Sequence, residues 1–224
     1  MATLHRKNTA RVTGLAYLAL AVAGGAGFLT IRPILFEPGD PAATLAHLTD
    51  HLALARTGVV LELLVVLTQA LAAAGFYRLY RESNPVSAAG IAAFGLVNSV
   101  VVLGSAALLG AAVEVAGQPF GDAPATVQLL YLVSGHLWTV GGIFFGLWLI
   151  PMGSCVSGVL RWLLVVGGVG YVLNTFASYV LPAAAGVLVV PATIGELWMI
   201  GYLLVRAPAV RPGPVAGGRL RAAG

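Results

Sequence analysis

"PATIGELWMIGYLL", residues 191–204, reads as a membrane-spanning helix carrying a single carboxyl group, Glu196. The nearest basic residue, Arg206, lies ten positions further on. An acid at such a depth costs several kcal/mol, ~2.5–3.5 for Asp on insertion scales, and rarely sits idle. The whole chain supports a membrane setting. Of 224 residues, 59% are hydrophobic and only 9% charged, with a mean hydropathy of +0.94. Soluble domains carry roughly 25% charged residues, so this chain is unable to cover a water-facing surface. The expected fold class is all-α: a polytopic transmembrane helix bundle.

A span needs roughly 20 mostly apolar residues. Six stretches qualify, at about 13–31, 55–77, 86–113, 127–150, 159–181 and 184–205. Between them stand "RPILFEPGDP" at 32–41, "RESNP" at 81–85, "GQPFGDAP" at 117–124, "PMGSC" at 151–155 and "LPAAAG" at 181–186. The last is so short that the fifth and sixth helices are expected to form a tight antiparallel hairpin.

With the N terminus inside, ten of the twelve Lys and Arg residues fall on the cytoplasmic side, and only Arg32 and Arg56 fall outside. That asymmetry is a positive-inside signal and predicts a multi-pass cell-membrane protein with both termini cytoplasmic. The basic residues are terminal or in short loops, so the net charge of +4 reports topology and not nucleic-acid binding. The apolar run after "HRKNTAR" exceeds a signal-peptide core of roughly 7–15 residues, so it is expected to remain as the first helix. One transmembrane domain, 1–206, is expected, followed by a disordered basic cytoplasmic tail at 207–224 whose Pro, Gly and Arg suit anionic lipid.

The outer loop "PAATLAHLTDHLALA", 41–55, repeats leucine at 45, 48 and 52, an amphipathic pattern. A short helix is expected there, capped by Asp40 or Thr44, lying on the outer surface and leading directly into the second span. His47 and His51 stand at i and i+4 with Asp50 between them, but no third ligand is near in sequence, so no metal is expected. Cys155 is the single cysteine, which excludes an intramolecular disulfide and a CxxC redox pair.

Several blocks, "RTG…LELL" in the second span, "SGHLWTVGGIFFGLWLIPMG" in the fourth, "GVGYVLNTFASYVLP" in the fifth and "PATIGELWMIGYLL" in the sixth, give the chain a likeness over roughly 10–206. It resembles the DUF4386 family, small bacterial multi-span membrane proteins without an assigned biochemical role. The resemblance implies the membrane fold and supplies no reaction.

Polar residues inside the spans are the candidates for chemistry. Glu62 lies roughly 10 Å below the outer start of its helix, and Gln69 two turns deeper on the same face. His136 and Glu196 fall at comparable depth on two other spans. Tyr171, Asn174 and Ser178 share one face of the fifth, and Asn98 and Ser99 sit mid-way along the third. These groups gather between the midplane and the outer leaflet, leaving the inner half nearly free of them. Asn98, Ser99 and Gln69 suit interhelical hydrogen bonds. Glu196 is expected to stay neutral or to pair with His136 or Arg56. Arg56 points nearly opposite to Glu62 on an ideal helix and suits an interface anchor or the mouth of the site. Trp138, Trp148, Trp162 and Trp198 suit interfaces or lipid-facing surface, and Gly142 with Gly146 suits close helix contact.

Three functions are compatible with these residues. The first is an intramembrane acid/base enzyme, isoprenoid cyclase- or isomerase-like, acting on a lipophilic substrate that enters from lipid. Glu62, His136 and Glu196 would be catalytic, and Arg56, Gln69, Asn98, Tyr171, Asn174 and Trp198 would bind substrate. The second is a proton-coupled transporter of small molecules, and the third a scaffold or sensor subunit. There is no DDxxD-like cluster for a magnesium diphosphate, no GxSxG elbow and no second membrane histidine for bis-histidine haem, and no cofactor is implied.

Overall fold

A computed structural model describes residues 2–182 and 186–205. Among them every regular element is helical: α1 (Ala2–Gly24), α2 (Arg32–Leu35), α3 (Pro41–Asp50), α4 (Leu52–Tyr80), α5 (Pro85–Gly117), α6 (Ala123–Ser154), α7 (Val159–Val180) and α8 (Val190–Val205). A π-helical segment, Gly25–Ile31, joins α1 to α2, and a 3₁₀ turn, Val187–Val189, leads into α8. Six helical runs are long and apolar enough to cross a membrane: Arg6–Leu35, Leu52–Tyr80, Pro85–Gly117, Ala123–Ser154, Val159–Val180 and Val187–Val205. The protein is a multi-pass membrane bundle.

The helix ends follow capping chemistry. Asp40 accepts a hydrogen bond from the Ala43 amide at 2.9 Å, Asn84 from Ser87 and Asp122 from Ala125, each just before a proline in the first turn. Asp40 is therefore the cap of α3. Thr44 instead bonds the Asp40 and Glu37 carbonyls and reaches Gln128 on α6 at 2.8 Å. Two boundaries lie further out than the sequence suggests. Helix continues past "RP" to Leu35, because Pro33 falls in the first turn after the wide π segment, where a missing donor costs little. Likewise α6 runs through Pro151 to Ser154. α3 does not lead straight into α4; the chain breaks at His51.

The spans form a ring in chain order. α1 packs on α4, α4 on α5, α5 on α6, α6 on α7 and α7 on α8, and α8 closes back on α1. Tyr17, Phe76, Trp148, Leu164 and Met199 fill the centre, all fully buried. Outside, large apolar side chains such as Leu67, Val100, Leu129, Phe176 and Trp162 are exposed, as lipid contact requires and water would not allow. Glycines set the tightest approaches. A Cβ on Gly146 would overlap the Gly168 carbonyl, and one on Gly167 the Ala192 backbone, so α6, α7 and α8 pack almost backbone to backbone. Across the α7–α8 connection, Asn174 Oδ1 accepts from the Gly186 amide at 2.7 Å; the expected tight turn falls at residues 183–185, which lie outside the described residues.

Consecutive spans alternate in direction. Loops 81–84 and 155–158 therefore share one end of the bundle with the N terminus (proximal), and 36–51 and 118–122 share the other (distal). α3 docks at the distal end against α6 and α5, with Thr44 and Leu48 buried beneath it. The basic tail at 207–224 and Arg206 lie outside the described residues.

Candidate functional site

Glu62 is the better defined of the two acids inside the spans. α4 turns it inward ten residues after its distal start, ~15 Å down the helix, where its side chain is 7% exposed. Oε1 accepts from Trp138 Nε1 of α6 at 3.0 Å and lies 4.0 Å from Arg32 Nη1. That separation is an ion pair but is too long for a hydrogen bond. Arg32 donates through Nη2 to the Tyr131 carbonyl at 2.7 Å and to Ser134 Oγ at 2.8 Å. Its guanidinium also stacks over the rings of Phe28 and Tyr131. Ser134 bonds Ser105 at 2.9 Å, and Ser105 neighbours the Glu62 carboxyl without hydrogen-bond geometry. Two buried polar atoms, Arg32 Nη1 and Glu62 Oε2, have no hydrogen-bond partner among the described residues. Beside them is a cleft lined by Gly27, Ile31, Leu35, Ala55, Gly58 and Leu109 as well as the pair and Tyr131. Its free space, about 10 Å³, holds about one water.

Glu196 has different company. It faces the fully buried Tyr17 hydroxyl of α1, outside hydrogen-bond geometry, and lies within electrostatic reach of Tyr171 on α7. Tyr17 packs edge-on against Trp148, and Phe145 bridges Trp148 to Tyr171. The result is a carboxyl among aromatic rings. No ion pair among the described residues includes it.

The structure does not bring Glu62, His136 and Glu196 onto common partners. His136 is exposed, stacks on Tyr179 and bonds its hydroxyl at 3.2 Å. Two positions along α6 separate it from Trp138, about 200° of rotation, so it faces outward at the depth where Trp138 faces in. Neither His136 nor Arg56, the cations expected beside Glu196 if it paired, forms an ion pair among the described residues; the ion pair found there joins Arg32 to Glu62. Arg56 is exposed. Asn98 Nδ2 donates to Gln69 Oε1 at 2.8 Å and ties α5 to α4, while Ser99 bonds the Gly95 carbonyl. Asn174 accepts from the Gly186 amide, and Trp198 is half exposed on α8. Trp162 is exposed as expected, whereas Trp148 is fully buried and Trp138 is part-buried with its indole N–H turned in to Glu62. Gly142 and Gly146 face Thr175 and Gly168 on α7, the close contact expected of them. Among the described residues no group of three or more His, Cys, Asp or Glu side chains could hold a metal.

Arg32, Tyr131, Ser134 and Trp138 are the site residues that sequence reasoning passed over. The signal was present in "GGAGFLTIRP", 24–33, where glycines and a late arginine end a span. π-helical turns of this kind recur at functional sites.

These features define a class: a six-span membrane bundle with two acids inside its spans, one of them buried and ion-paired near the distal end. The chain belongs to the DUF4386 family, whose model, described as a domain of unknown function, matches residues 12–207. No curated protein and no solved structure matches the sequence.

Proposed function

We propose that the protein acts on a lipophilic small molecule at the distal cleft, with Glu62 as the proton-transferring group. One observation carries this reading. Trp138 and Arg32 fix one oxygen of Glu62, while the other is buried, uncommitted and beside the cleft. A held carboxylate with one free oxygen is the arrangement of a positioned general base. Arg32 Nη1 supplies a fixed positive donor for the polar end of the substrate, and Ile31, Leu35, Leu109 and the Tyr131 ring offer it an apolar wall. Room must come from movement of the wall, to which Gly27 of the π-helical segment and Gly58 of α4 contribute no side chain. Isomerisation or cyclisation of an isoprenoid-like molecule fits such a group. Glu196 then acts separately, and His136 lies outside the mechanism. The positive-inside asymmetry supports a cell-membrane location with cytoplasmic termini, which puts the cleft in the outer leaflet.

The test is mass spectrometry of lipophilic molecules that co-purify with the full chain, followed by incubation in deuterated water. Deuterium should enter the bound molecule with wild type and fail to enter with Glu62→Gln. Equal incorporation by the two proteins would refute the assignment.

A second reading, proton-coupled transport, gains from the inward face of α4. Glu62, Gln69 and Tyr80 recur at spacings of seven and eleven, and each holds a buried polar atom without a partner among the described residues. Polar groups thus continue beyond the midplane, where the sequence suggested few.

A further inference from the structure

The proximal end carries a cation of its own. Arg6 on α1 is within electrostatic reach of Tyr80 at the end of α4, and Tyr202 and Cys155 are the other neighbours of that hydroxyl. Tyr80 is 3% exposed, and its hydroxyl has no hydrogen-bond partner among the described residues. Nε and Nη2 of Arg6 are buried and equally uncommitted. No ion pair among the described residues includes Arg6, and Glu82, the acid of the adjoining loop, is exposed. A guanidinium and a phenol, both with free donors, recognise an anion rich in acceptor oxygens.

Tyr202 also faces a groove of about 400 Å³ that it shares with Trp198, Gly201 and Val205 along α8. Those walls are almost wholly apolar. They offer nothing to a free ion and a complementary surface to an acyl chain. Lys7, Arg11 and Arg81 are exposed at the same end, where an anionic bilayer surface attracts basic residues.

We propose that Arg6 and Tyr80 bind the phosphate of an anionic phospholipid whose acyl chain lies in the α8 groove. This site is independent of the Glu62 cleft, so its test neither rests on nor decides the function proposed above.

The experiment is native mass spectrometry of the delipidated full chain in detergent with added phosphatidylglycerol, with diacylglycerol, or with inorganic phosphate alone, alongside melting curves. Phosphatidylglycerol should form adducts that survive collisional activation and should raise the melting temperature. Diacylglycerol and inorganic phosphate should do neither. Arg6→Gln should weaken the adduct by about tenfold or more, the loss expected from a charge-assisted hydrogen bond. Tyr80→Phe, which keeps the ring and therefore the packing, should weaken it in the same direction. Arg78→Gln, at an exposed position, should leave it unchanged. Retention of the adduct by both Arg6→Gln and Tyr80→Phe overturns the site. Equal stabilisation by inorganic phosphate or by diacylglycerol overturns the phospholipid.

Discussion

Glu62, buried, and Glu196, part-buried, are acids within the spans of one bundle, and the protein treats them in opposite ways. Glu62 has a cation 4.0 Å away, an indole donor at 3.0 Å and a cleft beside it. Glu196 has the phenols of Tyr17 and Tyr171 and no ion pair among the described residues. The difference shows which carboxyl the fold depends on. In a low-dielectric interior, breaking a charge pair leaves the second charge stranded, whereas altering a lone acid strands nothing.

The comparison gives its largest effect at Glu62. Glu62→Gln keeps the shape and an acceptor for Trp138 but leaves Arg32 without its counter-charge, and the loss of stability should be about 3–5 kcal/mol. Chemical unfolding in detergent measures it. Adding Arg32→Gln should return part of the loss, and a double variant no better than the single one would mean that the two side chains are uncoupled.

Trp138→Phe sharpens the same side of the contrast. It removes the donor to Oε1 and keeps most of the packing against Phe28, so the expected cost is about 1.5–3 kcal/mol, the range for a hydrogen bond to a charged group. A melting temperature equal to wild type would remove the indole from the site.

Gln69→Leu supplies a neutral reference on the same face of α4. Only the bond from Asn98 is lost, and interhelical hydrogen bonds average roughly 0.6 kcal/mol with a maximum near ~1.7. If this variant is as damaging as Glu62→Gln, charge is not what distinguishes the Glu62 site.

Glu196→Gln should have the smallest effect, under about 1 kcal/mol, because no buried partner loses its mate. Thermal unfolding of this variant beside Glu62→Gln is the most direct way to break the comparison. A drop of several kcal/mol would require a cation on Glu196 from outside the described residues.

The placement of these groups was only half legible in the sequence. The depths of Glu62, Gln69, His136 and Glu196 could be counted from the ends of apolar runs. Their directions could not. Glu62, at a depth shared with His136, faces inward to Arg32, while His136 faces outward to Tyr179. The counting also failed at Arg32, because "RP" looked like the start of a loop, while the π-helical turn carries the helix four residues further. Trp138 and Trp148 were misread for a related reason, since an indole suits a membrane interface and a bundle interior equally well.

The amino-acid sequence by itself determined that this chain crosses a membrane about six times, where its loops fall and which acids lie within the spans. Run length, charge and turn residues suffice for that, because the cost of exposing a polar group to lipid is local to each residue. Rotation about each helix axis was decided only by tertiary structure. In a soluble bundle a polar face marks the outside, but lipid and bundle core are both apolar, so no hydrophobic stripe distinguishes them. Close glycine contacts between α6, α7 and α8, the ring closure of α8 onto α1 and the widened turn before Arg32 set those rotations instead. They are what place Arg32 and Trp138 on Glu62 and leave Glu196 among aromatic rings.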